Sequence, residues 1–291
     1  MDVPRQRATR QGSVALTQEV DRLKAGVSAD VIIELKDVEK VFGGLNSRYV
    51  ALQGCSLKVK RGEFICLLGP SGCGKSTLLN LIAGFERPTG GEITFDGEPL
   101  VGASSKRVMC FQDSMQALLP WTTVAGNISF ALSVRHVPRA EWKARIDECL
   151  DIVGLSASVG RFPTELSGGM RQRLQIARAL AANPEVLLMD EPFGALDAMT
   201  RTQMQLELLR VWERTNKTVV FITHDIEEAL LLGDRVCIMN KGPRSRIVAE
   251  YPVEGPRPRQ LLEDRRIAEL AGRIRTTFAT FETADQGRPG V

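Results

Sequence analysis

The residues that could do the most chemistry are nine in a row, Gly69-Pro70-Ser71-Gly72-Cys73-Gly74-Lys75-Ser76-Thr77. They fit G-x-x-x-x-G-K-[ST] without a mismatch. The apolar run Phe64-Ile65-Cys66-Leu67-Leu68 precedes them, and Leu78-Leu79-Asn80-Leu81-Ile82-Ala83 follows. Strand, glycine loop, helix is the context in which such a loop binds phosphate. The glycines let backbone N–H groups turn inward on a phosphate chain, and the helix N-terminus adds partial positive charge. Lys75 can reach the β- and γ-phosphates, and Ser76 can ligand Mg²⁺. A chance match in a glycine-rich turn is the competing reading, and both flanks speak against it.

Four further stretches carry chemistry that fits a phosphate loop. Val186-Leu187-Leu188-Met189-Asp190-Glu191 reads as a buried strand ending in two carboxylates. Asp190 can hold the Mg²⁺ shell. Glu191, next along and facing the other way on a strand, can take a proton from an attacking water. Val108-Met109-Cys110-Phe111 is a strand with Gln112 at its C-terminal end. Val219-Val220-Phe221-Ile222-Thr223 is another, followed by His224. Ligands of open α/β sheets sit at those strand ends, which separates Gln112 and His224 from ordinary polar loop residues. Ser167-Gly168-Gly169, opening the helical run after Leu166, makes a second anion-binding helix end. One phosphate loop does not need two such ends within a single chain. The excess suggests two copies, each lending this end to the other's nucleotide.

The elements that must position these residues follow in order. Residues 1 to 30 are polar and arginine-containing, and read as a disordered extension. Val31–Leu35, Val38–Phe42, Tyr49–Leu52 and Cys55–Val59 read as strands, with a loop at Gly43–Arg48. Phe42 or Tyr49 could stack on a base or simply pack. Glu92–Phe95 is a short strand among glycines. From 113 to about 166 the spacing turns helical, as in Trp142, Ile146, Cys149, Leu150 and Val153, which reads as an insertion. At its front Leu118-Leu119-Pro120-Trp121-Thr122-Thr123-Val124 is either local core or a docking surface. Val219–Thr223 reads as the last core strand, and Arg235–Asn240 with Ile247–Tyr251 as a closing ribbon. Ile267, Leu270, Ala271, Ile274 and Phe278 have the spacing of an amphipathic helix packed on its own domain.

Composition removes several classes. In 291 residues, 38 Lys and Arg against 35 Asp and Glu leave a net charge of +3, without the clustered basic excess of a nucleic-acid binder. Two histidines are too few for a His-rich metal site, and six cysteines without a C-x-x-C pair read as reduced thiols. Cys73, inside the phosphate loop, is expected to be open to thiol reagents that would block nucleotide. No apolar run approaches the roughly 20 residues that cross a bilayer, and no secretory signal is evident. A membrane role must therefore go through a partner.

Taken together, these residues resemble the ATP-binding cassette (ABC) ATPase family. Gly69–Thr77 looks like its Walker A loop, Leu166–Met170 like its signature, Val186–Glu191 like Walker B, Ala195-Leu196-Asp197 like the D-loop, Gln112 like the Q-loop and His224 like the switch histidine. The resemblance spans Val31 to Tyr251. It implies an α/β P-loop NTPase with a RecA-like core, an antiparallel β subdomain and an inserted α-helical subdomain at about 113–175. The cassette would cover 31–252, with a helical tail over 253–291. It implies ATP and Mg²⁺ as cofactors, with Ser76, Gln112 and Asp190 as metal ligands and Glu191, His224, Gln112 and Lys75 as the catalytic set. It implies a head-to-tail homodimer in which Ser167 and Gly169 of one chain meet the γ-phosphate bound on the other, with Gly168 and Asp197 also among the nucleotide-binding residues. Phe42 would be the aromatic on adenine.

A narrower resemblance rests on Met170 in place of the usual Gln, on Met170-Arg171-Gln172-Arg173, and on Leu119-Pro120-Trp121 after the Q-loop. These look like the nitrate/sulfonate/taurine importer ATPases, which energise uptake of small, mostly anionic solutes. That implies integral membrane permease subunits docked at Pro120–Trp121, a solute-binding protein acting indirectly, and a peripheral position on the cytoplasmic face of the inner membrane. The rival class is a soluble ABC protein that dimerises on nucleotide in DNA repair or translation. Such relatives carry long coiled coils or paired cassettes, and neither pattern is present here. An exporter half would usually carry a fused membrane span.

Overall fold

The computed structural model describes residues 30–43, 47–259 and 264–283. The extension expected over residues 1–30 lies almost wholly outside them.

Two sheets form the frame. The first is antiparallel, in the order β2-β1-β4-β5: β1 (Val31–Phe42), β2 (Tyr49–Lys60), β4 (Gly90–Phe95) and β5 (Glu98–Pro99). The strand pairs read from the sequence at 31–42 and 49–59 are each one continuous strand. Asp37, at φ +47°, and Gly54, at +65°, bulge the chain without ending it, so the hydrophobic alternation skips a beat. The second sheet runs β10-β9-β3-β8-β7-β6. It comprises β3 (Phe64–Leu68), β6 (Arg107–Cys110), β7 (Val186–Asp190), β8 (Thr218–Thr223), β9 (Arg235–Met239) and β10 (Ile247–Pro252).

β8 is therefore not the last core strand. β9 pairs parallel with β3, and only β10 is an antiparallel edge. The core strands are buried on both faces, so their sequences are continuous apolar runs without alternation, as parallel strands require. Phe64, Cys66 and Leu68 point into one core with the helical insertion. Ile65 and Leu67 point into the other, against β1, β2 and α1 (Lys75–Ala83). β3 is thus gripped on two sides, and the loop that follows it starts from a fixed point.

The insertion holds a single turn α2 (Ser114–Ala117), then α3 (Val124–Val134), α4 (Arg139–Ile152) and α5 (Gly168–Ala181). Thr123 caps α3 through the Gly126 N–H. After β7 come α6 (Ala198–Thr215) and, after β8, α7 (Ile226–Leu232). The last helix is α8 (Arg265–Thr283). Its Ile267, Ala271 and Ile274 are buried, the amphipathic packing read from the sequence. The Arg259 guanidinium is buried before it and donates to the carbonyls of Leu230, Leu231, Gly233 and Val253, closing the end of α7. No helix among the described residues is long and apolar enough to cross a membrane.

All six cysteines are free and buried. Burial pushes the Cys110 thiol up to about 12 and Cys149 to about 11. Cys73 corrects the expectation of reactivity: its thiol is 1% exposed beneath the phosphate loop, and burial raises its pKa. Neither the accessibility nor the thiolate that attack requires is present.

Candidate nucleotide site

The phosphate loop takes its shape from two left-handed glycines, Gly72 at φ +75° and Gly74 at +98°. At that φ a side chain on residue 74 would be strained, and its Cβ would also stand 3.0 Å from the Leu52 side chain of β2, so glycine suits the place where the loop closes on the first sheet. Lys75 follows at the start of α1 and is 5% exposed. Its Nζ donates to the carbonyls of Gly69 (2.7 Å) and Pro70 (3.0 Å) and lies 3.9 Å from Glu191 Oε1. A buried ammonium held inside the loop is a ready partner for phosphate oxygens.

Across the sheet edge, β7 delivers Asp190. Burial raises its pKa, and the Ser76 hydroxyl, hydrogen-bonded to it, acts in the opposite sense. A hydroxyl beside a half-buried carboxylate is a hard-oxygen pair of the kind that binds Mg²⁺ together with phosphate. Among the described residues no group of three or more His, Cys, Asp or Glu could hold a metal by itself. The donor set fits a Mg²⁺ shared with the nucleotide and not a metal cage.

Glu191 departs from the sequence reading in one respect. It is not a strand residue facing the opposite way. It takes φ +42°, a left-handed turn at the end of β7, with its N–H donating to the Ile222 carbonyl (3.1 Å). That costly backbone for a non-glycine residue aims the carboxylate into the space above the phosphate loop. There Oε2 lies 3.1 Å from His224 Nδ1, at the end of β8. Gln112 also reaches this space. A Cβ built on Gly194 would be 3.3 Å from Gln112 Nε2 and 3.9 Å from Glu191 Oε2. Lys75, Ser76, Asp190, Glu191, His224 and Gln112 are thus brought to one place.

The second anion-binding end is elsewhere. Ser167 caps α5 by accepting from the Met170 N–H (3.3 Å). A Cβ on Gly169 would stand 3.0 Å from Thr200 Cγ2, and one on Gly168 3.4 Å from Leu196. The signature end therefore packs on the start of α6, which Asp197 caps through the Thr200 N–H (3.0 Å). That bond holds the Asp197 carboxyl below the usual range. Among the described residues no hydrogen bond or ion pair joins Ser167, Gly168 or Gly169 to the phosphate loop.

The family model described as ABC transporter matches residues 52–194. The nitrate import ATP-binding protein NrtD of Synechococcus elongatus is 47% identical over 238 residues, covering 80% of this chain and 86% of that one. The chain belongs to the ABC transporter ATPase family. The bicarbonate transport ATP-binding protein CmpD of Synechocystis is 44% identical over 80% of this chain and 83% of its own. Of the longer bicarbonate transport ATP-binding protein CmpC of Synechococcus elongatus, also 44% identical, the chain covers 35%. Among solved structures, the dimeric post-hydrolysis ATP-binding cassette MJ0796 with ADP and Pi is 33% identical, with TM-score 0.64 over 77% of this chain and all of that one. CbiO1 of Clostridium perfringens is 27% identical, with TM-score 0.71 over 87% and 99%.

Within this ABC ATPase, Phe42 and Tyr49 are directly opposed across β1 and β2, so their rings share one face. Phe42 is half-exposed, with Lys40 Nζ 4.8 Å from its ring centre. Tyr49 leans toward Gly242, whose added Cβ would lie 3.5 Å from the Tyr49 hydroxyl and 3.3 Å from the Gly72 carbonyl. The turn between β9 and β10 therefore packs as a wall beside the phosphate loop, which the sequence reading missed. Its signal was Gly242 within Lys-Gly-Pro-Arg, a tight turn in which a side chain would strike the phosphate loop.

The stretch at 118–124 divides between core and surface. Leu118 is core, while Trp121 is 75% exposed. Asn127, fully buried, accepts from the Leu119 N–H and donates to the carbonyls of Leu119 and Thr123. The loop that displays Trp121 is held rigid from beneath.

Proposed function

We propose that this ABC ATPase energises import of a small inorganic anion, of the nitrate or bicarbonate class. The observation that carries the solute class is the 47% identity to a nitrate import ATP-binding protein across 86% of that protein. The geometry supports the ATPase chemistry itself. Lys75 and the loop N–H groups hold the β- and γ-phosphates. Ser76, Asp190 and Gln112 would hold Mg²⁺, which neutralises charge on the phosphates being parted. Glu191 orients and deprotonates the attacking water, and His224 fixes the Glu191 carboxylate from its other side.

The lone phosphate loop and the separate signature end support a head-to-tail homodimer. In it Ser167, Gly168, Gly169 and Asp197 complete the site on the other chain. The dimeric cassette among the solved relatives supports the same assembly. Trp121, large, rigid and exposed, is the part of the surface that would meet membrane permease subunits, and such a contact would hold the chain peripherally at the cytoplasmic side. A soluble nucleotide switch has no specific observation in its favour.

Uptake of labelled nitrate, bicarbonate, taurine and an alkanesulfonate, in cells with and without this chain, tests the solute. Loss of nitrate or bicarbonate uptake is expected. Loss confined to a sulfonate or taurine would overturn the inorganic-anion reading and leave the ATPase reading intact.

Phe42 is the proposed base-stacking ring. Phe42→Ala is expected to raise KM for ATP about tenfold, the scale of one base–aromatic stack, with kcat within about twofold. Tyr49→Ala, measured in parallel by steady-state ATPase assay, should give the smaller rise. The reverse order would move the base to Tyr49.

A further inference from the structure

α5 meets the chain's own site through its middle turns and not through its signature end. Gln172 and Gln175 lie on the same face of it, each 2% exposed, although glutamine is seldom so buried without a task. Gln175 Nε2 donates to the Phe111 carbonyl (3.1 Å), and one turn further on Arg178 donates to the Ala117 carbonyl. Phe111 is the first residue beyond the β6–β7 ladder, whose last pair is Cys110 with Met189. Its carbonyl has lost its strand partner, and Gln175 supplies one. The next residue is Gln112, whose amide faces Glu191 across Gly194. Gln175 and Arg178 thus fasten both ends of segment 111–117 to one helix.

That helix begins at Ser167, eight residues before Gln175 and about 12 Å along the axis. An α-helix transmits such a displacement as a rigid rod. Among the described residues, Gln175 Oε1 and Gln172 Nε2 are buried without a protein partner. This face of α5 therefore holds an unused acceptor and an unused donor beside the bond that is made.

We propose that Gln175 is a positioning residue that locks Gln112 to the signature helix, so that the two ATP sites of the dimer respond together. Gln112 belongs to the chain's own site, and Ser167 faces the partner's. A bond between the Gln112 segment and α5 makes occupancy of one site shift the signature end offered to the other. The bond is to main chain, so it acts through Gln112 and touches no nucleotide. The proposal rests on the ATPase dimer reading above.

The test is Gln175→Met in the full-length chain. Methionine keeps the length and volume of the side chain and cannot donate to the Phe111 carbonyl. Steady-state ATPase is measured against ATP concentration. Wild type is expected to show a Hill coefficient well above 1. In the variant the Hill coefficient should fall toward 1 and kcat should fall about fivefold, the worth of one net hydrogen bond, with half-saturating ATP within about twofold. A purely structural role would lower Tm and leave the Hill coefficient where it was, and that result overturns the proposal. So does a variant that matches wild type. If Gln175→Met folds poorly, Gln175→Ala, which favours the helix, is read on the same Hill coefficient. A wild type that turns over no ATP would indict the site reading. A wild type that turns over ATP with a Hill coefficient of 1 would overturn the linkage alone.

Discussion

Glu191→Gln is expected to stop turnover while ATP still binds, and to trap the chain as a dimer. The carboxylate is set in a left-handed turn, with Lys75 Nζ 3.9 Å from one oxygen and His224 Nδ1 3.1 Å from the other. Glutamine has the same shape and can occupy the same turn, so the site should keep its form. It cannot accept a proton from water. Removing a positioned general base costs about 10²- to 10⁴-fold, so kcat should fall by about a thousandfold. Binding should hold or tighten, because the carboxylate also places negative charge where the γ-phosphate must come. Its influence is visible at Asp190, whose pKa it helps to raise after burial has done most of the work. With hydrolysis blocked, the ATP-bound dimer has no route back. Size exclusion with saturating ATP should show a dimer for the variant and a predominantly monomeric chain for wild type once ATP is spent. A variant that stays monomeric, or one with kcat within tenfold of wild type, would remove Glu191 from the role of base.

How much of this could be read beforehand depends on where each residue's constraint lies. The phosphate loop was legible because its constraints are local. Gly72 and Gly74 need left-handed backbone, Lys75 must follow at once, and a buried strand must precede. Asp190 and His224 were legible as polar residues ending long apolar runs, which is how a parallel strand meets its ligand edge. Glu191 was found for an incomplete reason. Strand alternation would turn it away from Asp190, but the turn that aims it is a backbone strain that no side-chain pattern encodes. The order of the sheet was only partly legible. β9 is as apolar as β8, yet its pairing with β3 is decided by the crossover and not by its own residues. The wall at Gly242 and the bond from Gln175 to Phe111 link positions far apart in sequence. A lone glycine or glutamine looks the same whether or not such a partner waits for it. Cys73 shows the same limit: its place in the loop suggested a reactive thiol, and tertiary packing hid it.

Lys75→Ala carries the other large expected effect, and it separates the loop assignment from everything built on it. In the structure the ammonium is buried and satisfied by the Gly69 and Pro70 carbonyls, so alanine removes a charge that braces the loop as well as one that meets phosphate. Both losses act in the same direction on hydrolysis. One charged donor aimed at developing transition-state charge is worth about 10²- to 10³-fold in rate. A fall in kcat of at least a hundredfold is therefore expected. Affinity should also weaken, by about tenfold or more, because the same ammonium pairs with the ground-state phosphates. This distinguishes it from Glu191→Gln, which should lose rate and keep affinity. Equilibrium binding of a fluorescent ATP analogue, beside the ATPase assay, reads the two quantities separately. Lys75→Arg keeps the charge but needs a wider space than a pocket closed by Gly69 and Pro70 offers, so it should bind poorly as well. Loss of rate with affinity intact in Lys75→Ala would mean that the lysine acts only in the transition state. Retained turnover would refute the phosphate-loop assignment outright. Failure to dimerise on ATP, with turnover already lost, is the expected companion result, since a site that holds no triphosphate has nothing to offer the signature end of a second chain.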